Sequence, residues 1–422
     1  MGIPLIQQIR VGSYILKQKI LGRSKYPLVL MLEPLFRCNL ACAGCGKIDY
    51  PKEILNQRLS TQECIDSVEE CGAPIVSIPG GEPLIHREMP EIVRELIKRK
   101  KFVYLCTNAV LMEKKLSEYK PSPYFTWSVH LDGMKEEPVS YTHLQGVFDR
   151  CVSAIKKAKS LGFRCNVNCT IFDNAHADDL KKFLNYVTDD LKVDGITISP
   201  GFAYERAPDQ EHFIKRSNTK NFFRNIFKSK DFKKWDFSHS GLYLDFLAGN
   251  QSYKCTPWGN PTRNIFGWQK PCYLLGEGYV KSFKELMNDT EWDKYGTGNY
   301  DKCSDCMAHC GYEASAVTDV FTNPLKAAAV AIKGPKTEGA MAEEIDISKS
   351  RDPDFFHDTH VSEMMKKLHA QQKHNESNNS PIPSAGAAIN PQSHLAKTVS
   401  YTHLRAHETR HEVVCRLLLE KK

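Results

Sequence analysis

The sequence lacks any segment that would carry it into or across a membrane. No apolar run reaches the roughly 20 residues that a membrane-spanning helix needs. Basic residues interrupt the apolar ones throughout residues 1–25, so no signal peptide is recognisable either. These absences predict a cytoplasmic protein.

The sequence also lacks a recognisable nucleic-acid-binding module. The formal net charge of +7 is modest for 422 residues, and the basic residues are spread along the chain without interleaved aromatic residues. We therefore expect no nucleic-acid partner.

Residues 1–25 form an amphipathic segment that mixes Ile and Leu with Arg10, Lys17, Lys19 and Arg23. This composition is typical of a helix at a membrane interface. It equally fits a helix that caps the main domain, and periodicity alone does not separate the two. A peripheral contact at the inner face of the membrane is thus one of two interpretations.

Residues 26–235 alternate between apolar strand-like runs and amphipathic helical stretches. Ser60 and Glu63 form a capping box for one of these helices. Six β/α units in series predict an α/β fold with a parallel sheet, either a partial (β/α)6 TIM-like barrel or a doubly wound sheet. The strand candidates are PLVLMLE, PIVSIPG, FVYLCTN, YFTWSVHLD, RCNVNCTIF and GITISP.

The alternation stops after about residue 235. Residues 236–345 are rich in Cys, Gly and aromatic residues, and residues 346–397 are predicted to be a disordered tail because they are polar and of low complexity. The stretch VSYTHL occurs twice, at Val139–Leu144 and Val399–Leu404. The second copy resembles a translated transposon-end adapter, so we interpret residues 398–422 as non-native and give both copies no functional weight.

Three cysteines, Cys38, Cys42 and Cys45, lie in one short loop directly after the first predicted strand. With 15 cysteines and no secretory signal, metal binding or catalysis is expected in preference to disulfides. Structural zinc sites usually take four ligands, and no fourth cysteine lies near this loop in the sequence. Three thiolates fit three corners of a [4Fe–4S] cluster and leave one iron open. A half-formed zinc site is the alternative.

The motif GGEP ends the second predicted strand. A Gly-Gly pair alone indicates only a turn, but together with the cysteine loop it resembles the radical S-adenosylmethionine (SAM) superfamily. That resemblance implies a TIM-like partial barrel, a cluster whose open iron chelates SAM, and a SAM site at Gly80, Gly81, Glu82 and Pro83. It also implies cleavage of SAM to methionine and a 5′-deoxyadenosyl radical. Gly44 departs from the family, which usually has an aromatic residue there as a contact to the adenine.

Five longer stretches resemble one family within this superfamily, the adenosylhopane synthases of hopanoid biosynthesis. These stretches are SIPGGEPLIH, LCTNAVLM, SVHLDGMKE, SPGFAYERAPDQEHF and CTPWGNPTRNIFGWQKPCYLL. The resemblance implies that the adenosyl radical adds to the terminal alkene of diploptene, a pentacyclic triterpene (hopene). It also implies that SAM is a co-substrate, and an electron donor such as a flavodoxin or ferredoxin is expected.

Cys106 is the candidate catalytic residue. Radical addition leaves a carbon radical, and a thiol S–H is weak enough to give it a hydrogen atom. Cys106 ends the third predicted strand, just before Thr107 and Asn108, and chemistry in barrels sits at the carboxyl ends of strands. The alternative is that Cys106 is a small buried core residue, as free cysteines often are.

Several other residues lie on or just after the predicted strands and are assigned from their positions. Cys165 and Cys169 on the fifth strand are expected to be core residues. Asn108 is a candidate cofactor contact, and Asn166 or Asn168, with Asn168 preferred, is the candidate contact to the SAM ribose.

A second set of cysteines follows in the C-terminal half. The stretch CSDCMAHC, after two isolated cysteines, resembles the auxiliary-cluster region of many radical SAM enzymes, although the spacing matches only partly. A second iron–sulfur cluster, a structural zinc and plain thiols are the alternatives. The residues concerned are Cys255, Cys272, Cys303, Cys306 and Cys310.

Two other functions compete with the adenosylhopane assignment. A peptide-modifying radical SAM enzyme would also carry a cysteine-rich C-terminal region, but it is expected to need a peptide-recognition domain near its start. A non-catalytic zinc or iron–sulfur protein with a regulatory role is the rival from a different class.

Overall fold

The computed structural model describes residues 2–135, 146–203, 207–352 and 359–378 of the chain. Within these residues, nine strands form one sheet in the order β6-β5-β4-β3-β2-β1-β7-β8-β9. The strands are β1 Val29–Glu33, β2 Ile75–Ile78, β3 Phe102–Thr107, β4 Phe125–His130, β5 Arg164–Ile171, β6 Gly195–Pro200, β7 Thr262–Asn264, β8 Gly267–Pro271 and β9 Gly276–Val280.

The α-helices connect these strands and extend beyond them at both ends. They are α1 Leu5–Ile20, α2 Lys52–Leu55, α3 Thr61–Cys71, α4 Met89–Lys98, α5 Met112–Lys115, α6 Val147–Ser160, α7 Ala177–Asn185, α8 Arg216–Phe227, α9 Gly241–Leu247, α10 Phe283–Asp289, α11 His309–Thr322, α12 Pro324–Lys333 and α13 Thr359–Asn378.

The strands β1 to β6 are parallel and lie side by side in chain order. A doubly wound sheet would reverse its strand order at one point, whereas this order is that of a partial barrel. The prediction of a (β/α)6 TIM-like α/β fold is therefore confirmed. All six predicted strands are present.

The start of α3 shows how local sequence sets these elements. The Glu63 amide donates to the Ser60 hydroxyl at 3.3 Å, and the Ser60 amide donates to the Glu63 carboxylate at 2.8 Å. This is the predicted capping box. Gly72 ends the helix with φ +72°, a left-handed conformation that glycine adopts without strain.

Strands β7, β8 and β9 were not predicted. They lie within the Cys-rich region 236–345 and extend the sheet of the barrel, because β7 pairs in parallel with β1 and β8 and β9 follow antiparallel. Residues 1–372 form one compact unit. The C-terminal region is thus joined to the barrel through its first strand.

The core lies between the sheet and the surrounding helices. Trp127 on β4 is fully buried and packs against the aromatic rings of Tyr119, Phe125 and Phe163. On β5, Cys165 and Cys169 are also fully buried in this core, where the sequence analysis expected them. Both belong to the main cluster of buried apolar residues, as expected for core thiols.

Helix α1 crosses the amino-terminal end of the barrel. The Gln7 side chain accepts a hydrogen bond from the Tyr104 hydroxyl at 3.0 Å, and Ile15 packs with Tyr26, Leu28 and Ala314. These contacts fit the interpretation of α1 as a helix that caps the main domain, and they leave the interpretation of a membrane-interface helix as a prediction. None of the described helices is long and apolar enough to cross a membrane.

The disordered tail predicted for residues 346–397 stays a prediction. Helix α13, Thr359–Asn378, lies in the middle of that segment. Its three Lys, two Met, two Gln and two Glu residues are good helix formers, so a polar composition is compatible with a helix. The rest of the tail from residue 379, including the adapter-like residues 398–422, and the stretch Val139–Leu144 lie outside the described residues.

Candidate functional site

The three-cysteine loop lies at the carboxyl end of β1, and its thiols are half-buried. The Cys45 amide donates to the Cys42 carbonyl at 3.2 Å, and the Leu40 amide lies 3.4 Å from the Cys38 sulfur. Asn108, just after β3, contacts the same loop through its side-chain amide, which lies 3.7 Å from the Cys38 sulfur. Two strand ends therefore frame the thiols.

The thiols of the loop are close enough to affect one another electrostatically. Burial raises the pKa of the Cys42 thiol to about 12, with further contributions from Cys45 and Cys38. Burial also raises the pKa of Cys38, and Cys45 adds to the effect. Because the pKa values of Cys38 and Cys42 are raised, their thiolates become favourable only when a metal supplies positive charge. This donor set fits an iron–sulfur cluster.

Gly80 and Gly81 let the end of β2 pass directly against the segment that leads into the cysteine loop. The Gly81 amide donates to the Leu35 carbonyl at 3.0 Å, and the Glu82 amide donates to the Arg37 carbonyl at 2.9 Å. A Cβ atom on Gly81 would lie 2.2 Å from the Arg37 carbonyl oxygen, and one on Gly80 would lie 2.6 Å from that of Leu35. Only glycine fits at these two positions.

We expect Gly81→Ala to destabilise the protein and to weaken SAM binding at least about tenfold. The added methyl group meets two backbone carbonyls that cannot move aside, and overpacking of this kind costs about 1–3 kcal/mol. Calorimetric unfolding and SAM titration measure both effects. Gly276→Ala is the matched control, because its Cβ would meet nothing within 4 Å. Equal SAM affinity in both variants would contradict this packing argument.

Glu82 joins the carboxyl ends of β2 and β3. Its fully buried carboxylate accepts hydrogen bonds from the amides of Leu84 and Asn108 and from the Thr107 hydroxyl, each at 2.9 Å. Burial raises the pKa of Glu82 to about 7, although these three donors oppose the rise. Because Asn108 also reaches Cys38, Glu82 couples the GGEP turn to the cysteine loop.

Lys47 forms an ion pair that the sequence analysis missed. Its ammonium group lies 2.9 and 3.0 Å from the two carboxylate oxygens of Glu33, a fully buried side chain at the end of β1. The same group lies 4.8 Å from the centroid of the Tyr273 ring. Lys47 follows Cys45 by two residues and Tyr273 follows Cys272, so this contact links the two cysteine regions.

His130 and Asp132, at the end of β4, form a second pair that was not predicted. The His130 imidazole lies 3.0 Å from the Asp132 carboxylate, which also accepts from the Thr170 amide at 2.8 Å. Burial lowers the pKa of His130, and Asp132 more than offsets this, so the pKa lies above its usual value. Asp132 also contributes to the raised pKa of Cys42, so the pair lies near the cysteine loop.

Cys106 lies on β3 with its sulfur 3.4 Å from the Ser77 hydroxyl of β2. Its side chain is half-buried, unlike those of Cys165 and Cys169. On β5, Asn168 is also half-buried and pairs across the sheet with His130. Asn166 is engaged elsewhere, since it bonds Thr197 and Ser238.

The fold brings the second set of cysteines together. Burial raises the pKa of Cys255 well above its usual value, and four other thiols of the set contribute to the rise. Arg216 lies against this set and donates to the Cys306 carbonyl at 2.8 Å. The four contributing thiols are those of Cys306, Cys272, Cys303 and Cys310.

Within the described part of the chain, no three Cys, His, Asp or Glu side chains converge on a point where a single metal ion would sit. The thiols of each set are neighbours, as their mutual effects on pKa show, but neither set is a closed site for one ion.

The comparisons with known proteins agree with this geometry. Residues 32–187 match the Radical SAM superfamily, and residues 196–330 match a domain of unknown function, DUF3463. In the solved structure of SuiB from Streptococcus suis, 75% of the chain aligns with 71% of this one at a TM-score of 0.52 and 16% identity, which shows a shared fold.

Two curated relatives match the barrel region. A GTP 3′,8-cyclase of Clostridium perfringens is 26% identical over 155 residues, which is 35% of this chain and 48% of the relative. The mycofactocin maturase of Mycolicibacterium smegmatis is 30% identical over 165 residues, which is 37% of this chain and 41% of the relative. The chain therefore spans less than half the length of these relatives.

These findings define the class that the barrel resembles: residues 32–187 match the Radical SAM superfamily. Enzymes of this superfamily use a [4Fe–4S] cluster and SAM, and an auxiliary cluster is common with such a C-terminal region. The curated relatives carry different names, GTP 3′,8-cyclase and mycofactocin maturase, so the match leaves this chain's particular reaction open.

Proposed function

We propose that this radical SAM enzyme transfers the 5′-deoxyadenosyl group of SAM to the terminal alkene of diploptene and so forms adenosylhopane. Residues Cys38, Cys42 and Cys45 hold the cluster. The observation that carries the proposal is a thiol, Cys106, on the strand whose end also contacts the cysteine loop and the GGEP turn. The stretches that resemble adenosylhopane synthases supply the substrate class.

The proposed reaction balances as follows. A cluster held by Cys38, Cys42 and Cys45 would supply the one electron that breaks the C5′–S bond of SAM and releases methionine. The 5′-deoxyadenosyl radical would add to the alkene, form one carbon–carbon bond and leave an unpaired electron on the neighbouring carbon. The Cys106 S–H would give that carbon a hydrogen atom. A flavodoxin or ferredoxin would supply two electrons per turnover, one to reduce the cluster again and one that, with a proton from solvent, restores the thiol.

The surroundings of Cys106 suit a hydrogen-atom donor. Burial raises its pKa, while hydrogen bonds from Ser77 and Ser128 oppose the rise. The group is therefore S–H near neutral pH, and the S–H form is the one that can donate a hydrogen atom. The next residue, Thr107, bonds Glu82, so the thiol lies one residue from the proposed SAM site.

The strand ends around the loop are the proposed SAM contacts. Gly80, Gly81, Glu82 and Pro83 are the proposed contacts to the amino group of SAM, because the half-buried glycines run directly against the segment that leads into the cysteine loop. Asn108 and Asn168 are the proposed polar contacts farther along the cofactor.

Aromatic rings at the carboxyl ends of β5 and β6 support an apolar substrate. Phe172 follows β5 directly, and its ring lies 5.8 Å from that of Phe213. Phe202 follows β6 by two residues and packs against the main core. A membrane-dissolved triterpene also predicts that this enzyme works in the cytoplasm at the inner face of the membrane.

The test is an anaerobic assay of the reconstituted full chain with SAM, a reductant and diploptene, read by mass spectrometry. We expect an adduct with the mass of adenosylhopane. Formation of 5′-deoxyadenosine without an adduct would support radical cleavage of SAM but would show that diploptene is not the substrate. No SAM cleavage at all would reject the proposal entirely.

A peptide-modifying radical SAM enzyme is the second candidate. The convergence of five C-terminal thiols favours it, because an auxiliary cluster would explain that set, and mycofactocin maturase is among the relatives. Iron bound to this set together with a negative diploptene assay would favour the second candidate. The non-catalytic alternative loses support, because the matches are to enzymes.

A further inference from the structure

Helix α1 has apolar side chains on its outer side as well as on the side that packs on the domain. The packed side has Ile15 with Val11 and Tyr14, together with the buried polar side chains Gln7 and Gln18. The outer side carries an apolar stripe among exposed polar residues. Four large side chains on it are exposed, namely Leu5 at 68%, Ile9 at 58%, Leu16 at 58% and Ile20 at 77%.

These four side chains form one continuous stripe. Together with Gly12 they recur at intervals of three or four residues, which places them on a single face of a helix. A Cβ on Gly12 would lie 3.3 Å from the ring of Phe321 at the end of α11. Phe321 is itself 44% exposed, and it adds an aromatic ring to the stripe.

The charged side chains around the apolar stripe are all basic. Residues 1–32 contain five basic side chains and no acidic one. Lys17 and Lys19 are exposed on α1 next to Leu16 and Ile20. The basic residues are Arg10, Lys17, Lys19, Arg23 and Lys25.

We infer that the outer face of α1, with Phe321, docks on an anionic lipid bilayer. The apolar stripe supplies side chains that insert at the level of the headgroups, and the lysines beside it supply attraction to negatively charged lipids. A second copy of this chain fits the stripe less well, because two such surfaces would bring like charges together. The observation is independent of the proposed reaction and adds a docking surface to it.

The docking surface and the cysteine loop lie at opposite ends of the barrel. Helix α1 crosses the amino-terminal end of the strands, where Arg164 at the start of β5 donates to the Gly2 carbonyl at 2.9 Å. The loop of Cys38 lies at the carboxyl end. Docking through α1 therefore holds the mouth of the barrel away from the bilayer, where an electron donor has access and where diploptene would have to leave the membrane to react.

The experiment is sedimentation of the full chain with two kinds of vesicle, phosphatidylcholine alone and phosphatidylcholine mixed with phosphatidylglycerol. We expect binding to the mixed vesicles that weakens with salt. The combined Ile9→Gln, Leu16→Gln and Ile20→Gln substitutions should lower the partition coefficient at least about tenfold. A double variant with Lys17→Glu and Lys19→Glu should have a lower partition coefficient, by at least about fivefold for each replaced lysine.

The matched control is Leu161→Gln, which changes another exposed apolar side chain, 47% exposed, at the end of α6. It should bind vesicles like the unchanged protein, and equal melting temperatures will show that all variants fold. Absence of binding, binding indifferent to phosphatidylglycerol, or an equal loss in the control would overturn the proposal. So would a dimer in solution that the α1 substitutions dissociate. Because vesicle binding needs no SAM or diploptene, its failure is separate from failure of the proposed reaction.

Discussion

Replacing Cys38, Cys42 and Cys45 together by alanine is expected to remove about four irons per chain and to lower SAM cleavage at least about a thousandfold. The three half-buried thiols share one loop, and Cys45 contributes to the raised pKa values of Cys38 and Cys42, so the three form a single unit of ligands. Without them no group in that loop can hold a cluster. Iron and sulfide content after anaerobic reconstitution, and 5′-deoxyadenosine formation, are the measurements.

The control for this variant is a chain in which the core thiols Cys165 and Cys169 are replaced by alanine. These side chains are fully buried, so the control reports the cost of removing thiols without removing cluster ligands. It should keep its iron and its SAM cleavage. If the loop variant instead keeps its full iron content, the cluster assignment is wrong.

The variant without the loop cysteines also shows whether the second cysteine set binds iron. Iron that remains after loss of the loop must be held elsewhere, and the thiols around Cys255 are the described group positioned to hold it. Substituting Cys255 and Cys310 in the loop variant should then remove the remaining iron. A loop variant without iron would show that the second set binds none under these conditions.

The barrel was predictable because its signals are local. Each of the six parallel strands is a short apolar run, and α3 begins at a capping box that four consecutive residues encode. Strands β7 to β9 carry no such signal. The three residues of β7, Thr262–Asn264, are all polar, and they form a strand because β1 offers an unpaired edge.

The site was predictable to the extent that its residues are neighbours in the chain. The cysteine loop and the GGEP turn are contiguous motifs, whereas the Lys47–Glu33 ion pair joins residues 14 positions apart. A charged residue at the end of an apolar strand, such as Glu33, was the available signal that a partner was needed, because a buried carboxylate is rarely left unpaired.

The second thiol set was also hard to predict, because its members are far apart in the chain. Its spacing along the chain matched the auxiliary-cluster pattern only partly, since residues 255 and 310 are separated by three strands and a helix. The fold brings them together, because a Cβ on Gly311 would lie 2.8 Å from the Cys255 sulfur. Contacts over such distances follow from the path of the chain and are not encoded in spacing.

Cys106→Ala is expected to leave SAM cleavage within about twofold of the unchanged enzyme and to lower adenosylhopane formation at least about a hundredfold. The substitution removes the proposed hydrogen-atom donor, while Thr107 and Asn108 keep their bonds to Glu82. The carbon radical that forms after addition then lacks a donor and is diverted to other products. Mass spectrometry of the products, with 5′-deoxyadenosine and methionine counted in parallel, measures both quantities.

Two further variants separate a chemical role for Cys106 from a structural one. Cys106→Ser keeps the size and polarity of the side chain beside Ser77, but an O–H bond is much stronger than an S–H bond and is a poor hydrogen-atom donor. It should therefore fail like alanine. Cys151→Ala, which removes a fully buried thiol on α6, should keep adduct formation. If Cys106→Ser forms adenosylhopane at the normal rate, the hydrogen atom comes from another group, and the role of Cys106 is packing.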